Sequence, residues 1–169
     1  MKHLAPAFRA LAVGLSAALA LAACDRVATG ELQPGFSTTA DLKMKMGEPR
    51  VIYRDQGREV WVYPLGPEGT KTYFMTVTPD GKLEAIEQVL TEANFARIRP
   101  GMARQEVEAI IGPHGREQRF ATTPDEVTFK YRFLRGNGPI FFDVTYTLPD
   151  GRVKATGYDE ITGKADSAR

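Results

Sequence analysis

The stretch Val127-Thr128-Phe129-Lys130-Tyr131-Arg132-Phe133 alternates strictly between apolar and polar residues. Because successive side chains of a β-strand point to opposite faces of a sheet, this alternation predicts a half-buried strand. The loop sequence Arg135-Gly136-Asn137-Gly138-Pro139 follows it, and a second alternating stretch begins at Phe142. Together these stretches predict an antiparallel hairpin.

The segments on either side of this hairpin extend the same pattern. The turn sequence Pro149-Asp150-Gly151 leads into a third predicted strand near residues 152–158. Upstream, an amphipathic helix is predicted before the hairpin, and Gly112 followed by Pro113 should end it. A further short helix is predicted over residues 91–98. The apolar stripe of the amphipathic helix consists of Ala103, Val107, Ile110 and Ile111.

Residues 34–90 follow the same plan as residues 91–160. A capping box of Thr38 and Asp41 starts a helical pattern in the first unit, and strands are predicted near residues 58–63, 71–78 and 82–89. Landmarks of the first unit recur in the second at offsets of 65 to 70 residues. The predicted class is therefore α+β, as a tandem repeat of a short helical segment followed by a three-stranded antiparallel meander. Residues 161–169 are predicted to be a flexible tail.

The first residues of the chain are predicted to be removed. Lys2 and Arg9 form a short positive head, and an uncharged apolar run of 14 residues follows over Ala10–Ala23. As a helix this run would rise about 21 Å, which is less than the hydrocarbon core of about 30 Å. It has the length of a signal-peptide core. We therefore predict a signal peptide over residues 1–23 with cleavage after Ala23.

The end of this run carries the chain's only cysteine. The sequence Leu21-Ala22-Ala23-Cys24 resembles a bacterial lipobox, which implies that Cys24 carries covalent lipid. The alternative is a simple secretory signal with an incidental cysteine. Residues 24–33 are predicted to be a lipidated tether. Asp25 resembles an inner-membrane retention signal, so we expect a periplasm-facing protein in the outer membrane, with the inner membrane as the alternative.

Composition excludes several classes of function. Hydrophobic residues make up 43% of the chain and charged residues 25%, which is typical of a globular protein. Loss of Lys2 and Arg9 from the 22 basic residues leaves 20 against 21 acidic residues, a net charge of −1 that argues against a nucleic-acid partner. The mature chain has one His and one Cys, too few for a zinc site built from those residues. No metal and no cofactor other than the lipid is expected.

The sequence contains no recognisable catalytic set, and we predict that the protein is not an enzyme. His114 lies in a turn without an obvious nucleophile and is expected to have a solvated ring. Asp125-Glu126 and Asp159-Glu160 are adjacent acids whose side chains would point to opposite faces of a strand. The glycines around Asn137 lack the strand–loop–helix context of a phosphate loop.

Two groups of residues are candidates for partner binding. Most of the aromatic side chains should be core, but Trp61 and Phe141 are candidates for an exposed aromatic surface that docks a protein. Lys130, Arg132 and Arg135 lie on the predicted outward face of one strand. They would suit an acidic partner or anionic lipid headgroups, although a simply solvated face is the alternative.

The combination of a lipobox, the motif Gly-Met-x-x-x-Glu-Val-x-x-x-x-Gly and an aromatic meander resembles the BamE (SmpA/OmlA) family of lipoproteins. Here the likeness appears as two copies over residues 34–158, and Phe36 and Ala103 depart from the family's usual Met and its capping Ser or Thr. The tandem arrangement also looks like the β-lactamase-inhibitor protein architecture. The matching positions are Gly101, Met102, Glu106, Val107 and Gly112 in the second unit, and Gly35, Gly47 and Pro49 in the first.

The BamE resemblance implies an accessory role in the β-barrel assembly machinery of the outer membrane. We therefore predict a lipid-anchored periplasmic scaffold or binding protein whose partners are envelope proteins. The alternative is a periplasmic inhibitor or sensor that grips a partner enzyme with its tandem sheet. A shared fold alone would establish neither role.

Overall fold

The computed structural model describes residues 29–55, 57–66 and 69–160. The predicted signal peptide, its cleavage site at Ala23, the lipid attachment residue Cys24 and the predicted tail at residues 161–169 lie outside the described residues. Within the described part, strand accounts for 45% of the residues and helix for 17%. The protein is therefore mostly β.

The described residues form short helices and two four-stranded antiparallel sheets. The first sheet has the strand order β1-β2-β3-β4, and the second has the order β5-β6-β7-β8. Every neighbouring pair of strands is antiparallel. The elements are β1 (Val51–Asp55), β2 (Arg58–Pro64), β3 (Thr72–Val77), β4 (Leu83–Gln88), β5 (Arg116–Gln118), β6 (Glu126–Arg135), β7 (Gly138–Thr147), β8 (Val153–Glu160), α1 (Thr39–Met46), α2 (Glu92–Phe95) and α3 (Arg104–Ile111).

The predicted α+β tandem repeat of a helix and a three-stranded meander was wrong. The helices that lie wholly within the described residues have eight, four and eight residues, so they contribute little beside the strands. Each sheet also has an additional edge strand, β1 in the first and β5 in the second. β1 follows the helix-ending Gly47 and Pro49 almost directly. β5 has only three residues, all polar, and pairs with Thr128–Lys130 of β6.

The predicted capping box of α1 is confirmed. The Thr38 backbone N–H donates to Asp41 Oδ2 at 2.8 Å, and the Asp41 backbone N–H donates to Thr38 Oγ1 at 3.3 Å. Leu42 is fully buried on the inner side of the helix. Gly47 ends the helix with a φ of 79°, a conformation that a residue with a Cβ rarely adopts.

At the start of helix α3, only one of the two hydrogen bonds of a capping box is present. The Glu106 carboxylate accepts a 2.7 Å hydrogen bond from the Ala103 backbone N–H, but Ala103 has no side-chain oxygen to return the contact. Val107 and Ile111 are fully buried, as the predicted apolar stripe requires. Gly112 ends the helix with a φ of 77°.

Two apolar cores lie against the sheets. In the first, Leu42 of α1 packs on one face of the first sheet; in the second, α2 and α3 pack on one face of the second sheet. The first core consists of Leu32, Leu42, Trp61, Tyr63, Met75, Val77 and Leu83. The second consists of Leu90, Phe95, Ile98, Val107, Ile111, Val127, Phe129, Tyr131, Phe133, Phe142, Val144, Tyr146 and Val153.

Gly112 brings the end of α3 against the back of the first sheet. A Cβ at Gly112 would lie 2.9 Å from Thr72 Cγ2, 3.3 Å from Phe74 Cε1 and 3.6 Å from Val62 Cγ1. Val62 is fully buried although it points away from the first core, since its strand neighbours Trp61 and Tyr63 point into that core. The contact at Gly112 therefore joins the two sheets.

We expect Gly112→Ala to destabilise the protein more than Gly47→Ala. Both substitutions impose a Cβ on a backbone with a φ near 78°, at a cost of about 1–3 kcal/mol. At Gly47 nothing lies within 4 Å of the new Cβ, whereas at Gly112 the crowding adds about 1–3 kcal/mol. Denaturant unfolding of the two variants measures this difference. Equal losses would contradict the close contact between α3 and the first sheet.

Candidate functional site

The two aromatic residues predicted to be exposed are buried. Trp61 is 5% exposed and belongs to the first core, where its Nε1–H donates to Glu59 Oε2 at 2.8 Å. Phe141 is 9% exposed and lies beneath two cations, with Lys130 Nζ 5.1 Å and Arg116 Cζ 5.6 Å from its ring centre. Neither residue presents an aromatic surface to solvent.

The most exposed large apolar side chains of the described residues are Phe36 at 80% and Met44 at 75%. Phe36 lies in the turn before α1, and Met44 lies on the side of α1 that faces away from Leu42. Neither residue was predicted from the sequence to be a binding residue. A signal was nevertheless present, because neither fits the apolar stripe of Leu42 and Met46 that packs on the first sheet.

The N-terminal end of the described chain lies beside this exposed side of α1. Glu31 forms an ion pair with Lys45 in the last turn of α1. An open groove of about 290 Å³ runs along this end of the molecule. Its lining includes Glu31, Leu32, Gln33, Phe36, Ser37, Asp41 and Lys45.

Lys130 is held in the second sheet by two carboxylates. Its Nζ lies 2.6 Å from Asp143 Oδ2 and 2.9 Å from Asp159 Oδ2, and the residue is only 8% exposed. Burial alone lowers the pKa of Lys130, but the hydrogen bonds to Asp143 and Asp159 outweigh it and raise the pKa. Lys130 thus joins β6, β7 and β8 rather than offering a free charge to a partner.

The other basic residues of β6 are also engaged. Arg135 Nε donates to Glu92 Oε1 at 2.6 Å, and its guanidinium lies 3.8 Å from the ring centre of Tyr158. Arg132 is half-buried and lines a cavity of about 20 Å³ together with His114 and Tyr131. The basic residues predicted on the outward face of this strand are therefore partly engaged in contacts within the protein.

The residues that match the BamE-like motif contribute to the packing and backbone hydrogen bonds of the fold. The Gly35 N–H donates to Leu83 O at 2.7 Å, and the Gly101 N–H donates to Val153 O at 2.8 Å. Each glycine thus connects the segment that precedes a helix to the last strand of a sheet. Met102 packs against the second core. Pro49 lies between α1 and β1, two residues after Gly47, whose carbonyl accepts a hydrogen bond from Tyr63 Oη at 3.2 Å.

His114 is half-buried, so the expected solvated ring was wrong. Its imidazole stacks on Phe129 with 3.8 Å between ring centres and 13° between planes. The Arg104 guanidinium also lies over Phe129, at 4.6 Å. Burial lowers the pKa of His114, and the charge of Arg104 lowers it further. The folded protein therefore favours the neutral imidazole.

Several buried polar atoms lie around α3. Tyr131 and Tyr146 are each 2% exposed, and their hydroxyl groups interact with each other without reaching full hydrogen-bond geometry. Burial raises the pKa of both phenols. Arg104 and Glu108, which pair at 2.8 Å on α3, act on both tyrosines electrostatically. With neutral phenols and a mutually paired Arg and Glu, this cluster offers no activated nucleophile.

The described residues also carry no cluster of three or more His, Cys, Asp or Glu side chains that could hold a metal ion. No helix within residues 29–160, so far as the structure describes them, is both long enough and apolar enough to cross a bilayer.

Comparison with solved structures gives distant likeness of fold. The chain is similar to the crystal structure of a DUF4309 family protein (YjgB) from Bacillus subtilis, with 17% sequence identity and a TM-score of 0.31. The match covers 81% of this chain and 92% of that chain. No protein-family model matches the chain, and no curated protein matches it. A likeness at this level carries no conclusion about function.

We expect the protein to lose stability as the pH falls from about 7.5 to about 5, partly through His114. An unfolded chain protonates this imidazole near its ordinary pKa of 6.5, whereas the folded protein resists protonation because of burial and Arg104. The unfolded state then binds more protons, so the free energy of unfolding falls with pH through this window. The charged groups that act on the imidazole are Arg104, Glu108, Glu117 and Arg50.

Thermal unfolding across this pH range measures the effect, with His114→Gln as the comparison. His114 is the only His after His3, so the variant removes the main group that titrates in the window. The variant should show a smaller loss than the parent. An identical pH dependence in both proteins would contradict the account of His114.

Proposed function

We propose that this protein is a lipid-anchored scaffold that faces the periplasm and docks other envelope proteins. The observation that carries the proposal is the sequence Leu21-Ala22-Ala23-Cys24 at the end of an uncharged apolar run. Cys24 is the only cysteine of the chain and stands where a lipobox requires it. Its covalent lipid would serve as an anchor, since several acyl chains together bind a bilayer firmly.

The short distance between Cys24 and the folded body supports this role. Leu32 is 6% exposed and belongs to the first core, so the body begins earlier than the predicted tether over residues 24–33 would allow. The described structure starts at Thr29, five residues after Cys24. Five residues reach at most about 18 Å when fully extended. An anchored body would therefore stay close to the bilayer surface.

The use of charged side chains within the fold supports a binding role over a catalytic one. Lys130 is paired with Asp143 and Asp159, and Arg104 is paired with Glu108. His114 is stacked on Phe129 and favours its neutral form. Acid–base or nucleophilic catalysis needs an oriented nucleophile beside a base, and these groups do not supply one.

The partners we propose are envelope proteins, with the β-barrel assembly machinery of the outer membrane as the first candidate. Support for that candidate comes from the likeness of the lipobox and of the Gly101 to Gly112 motif to BamE lipoproteins. The outer membrane is the favoured location. Asp25 leaves the inner membrane as the alternative address.

We expect Cys24→Ser to abolish lipid attachment and release the protein from membranes. In cells supplied with an alkyne fatty acid, the parent protein should incorporate the label and sediment with membranes. The Cys24→Ser variant should be unlabelled and appear in the soluble periplasmic fraction.

Asp25→Ser serves as the matched control, because it changes the neighbouring residue and keeps the thiol. It should remain fully labelled, and any shift between inner- and outer-membrane fractions would report on the sorting signal. A parent protein without label, or a Cys24→Ser variant that stays with membranes as firmly as the parent, would refute the anchor.

A further inference from the structure

We propose that Phe36 and Met44 form a patch that contacts the bilayer to which Cys24 is anchored. We call these two residues the membrane-facing patch. The inference rests on the proposed lipid anchor and adds to it a defined orientation of the folded body. The partner that contacts this surface is the apolar boundary region of the bilayer.

The exposure of the patch is unusual for the described part of the molecule. Isolated exposed apolar residues are common on protein surfaces and by themselves need no explanation. Phe36 and Met44, however, are 80% and 75% exposed, while the next large apolar side chain, Leu134, is 51% exposed. Both also belong to one end of the molecule, in and just before α1.

The two residues lie on the same side of that end. Phe36 lines the open groove together with Asp41 and Lys45. Met44 is three residues after Asp41, and residues three apart on a helix are neighbours on its surface, so Met44 lies beside the groove on α1. The opposite side of the helix carries Leu42, which is fully buried.

The chain enters the body beside this patch. The ion pair between Glu31 and Lys45 holds the start of the described chain against the last turn of α1. Thr29 follows Cys24 by five residues, a reach of at most about 18 Å. The lipid anchor would therefore keep this end of the protein, rather than the second sheet, next to the bilayer.

The charges around the patch favour apolar contact over headgroup attraction. Lys45 is paired with Glu31, and Lys43 lies 3.0 Å from Glu48. Asp41 adds a negative charge that caps the helix. Because this surface has no excess of positive charge, binding should depend on the apolar side chains and respond weakly to salt or to anionic lipid.

The test uses the acylated full-length mature protein in vesicles of phosphatidylcholine and phosphatidylglycerol. A reporter cysteine replaces Ala40, which is exposed on α1 four residues before Met44. The matched control is a cysteine at Ala155, which is exposed on β8 of the second sheet. Each reporter carries an environment-sensitive fluorophore, and the vesicles contain a lipid whose spin-labelled acyl chain quenches it.

We expect the Ala40→Cys reporter to be quenched at least twofold more than the Ala155→Cys reporter. Adding Phe36→Ser and Met44→Ser to the Ala40→Cys protein should lower its quenching to the control level. Both side chains are largely exposed, so the unfolding midpoint should be unchanged. Raising the salt concentration should leave the difference between the two reporters in place.

Other outcomes would overturn the inference in distinguishable ways. Equal quenching of both reporters in protein that is acylated and floats with the vesicles would reject the patch and leave the anchor intact. Protein without acylation that fails to float would reject both proposals. If the Ala40→Cys reporter stays unquenched while a photocrosslinker at Met44 captures a protein in cells, the patch docks a protein and not the bilayer.

Discussion

The close approach of Gly112 to the first sheet is the contact on which the arrangement of this protein depends. Helix α3 packs Val107 and Ile111 into the second core, and the residue that ends it fits against Thr72 and Phe74. A side chain at this position would crowd Thr72 and Phe74 of the first sheet. Glycine therefore has two uses here, since it ends the helix and allows the two halves to meet. His114 follows Gly112 by two residues, and its half-buried ring stacks on Phe129.

Local features were predictable from the sequence because they depend on a few neighbouring residues. The capping box of Thr38 and Asp41, the apolar stripe of α3 and the hairpin of β6 and β7 all follow from spacing and residue type. Strand β5 did not follow, because Arg116–Gln118 has no alternation and becomes a strand only through pairing with β6. Because strand β1 was missed as well, the predicted fold contained too much helix and too few strands.

The surroundings of the candidate binding residues were also hard to predict, because they depend on residues distant in the sequence. Sequence position alone placed Lys130 on an outward face but could not reveal that Asp143 and Asp159 enclose its ammonium group. The burial of Trp61 and Phe141 likewise depends on contacts with distant residues. The exposure of Phe36 and Met44 was in principle readable, because both lie off the apolar stripe of α1. Their place beside the entry of the chain needed the ion pair between Glu31 and Lys45.

Crosslinking of the tagged protein in intact membranes, followed by mass spectrometry of the captured proteins, shows whether the anchored protein docks envelope proteins. We expect envelope assembly proteins, with subunits of the β-barrel assembly machinery among them. Capture of a single periplasmic or inner-membrane enzyme would contradict this expectation and would favour an inhibitor or sensor that grips that enzyme.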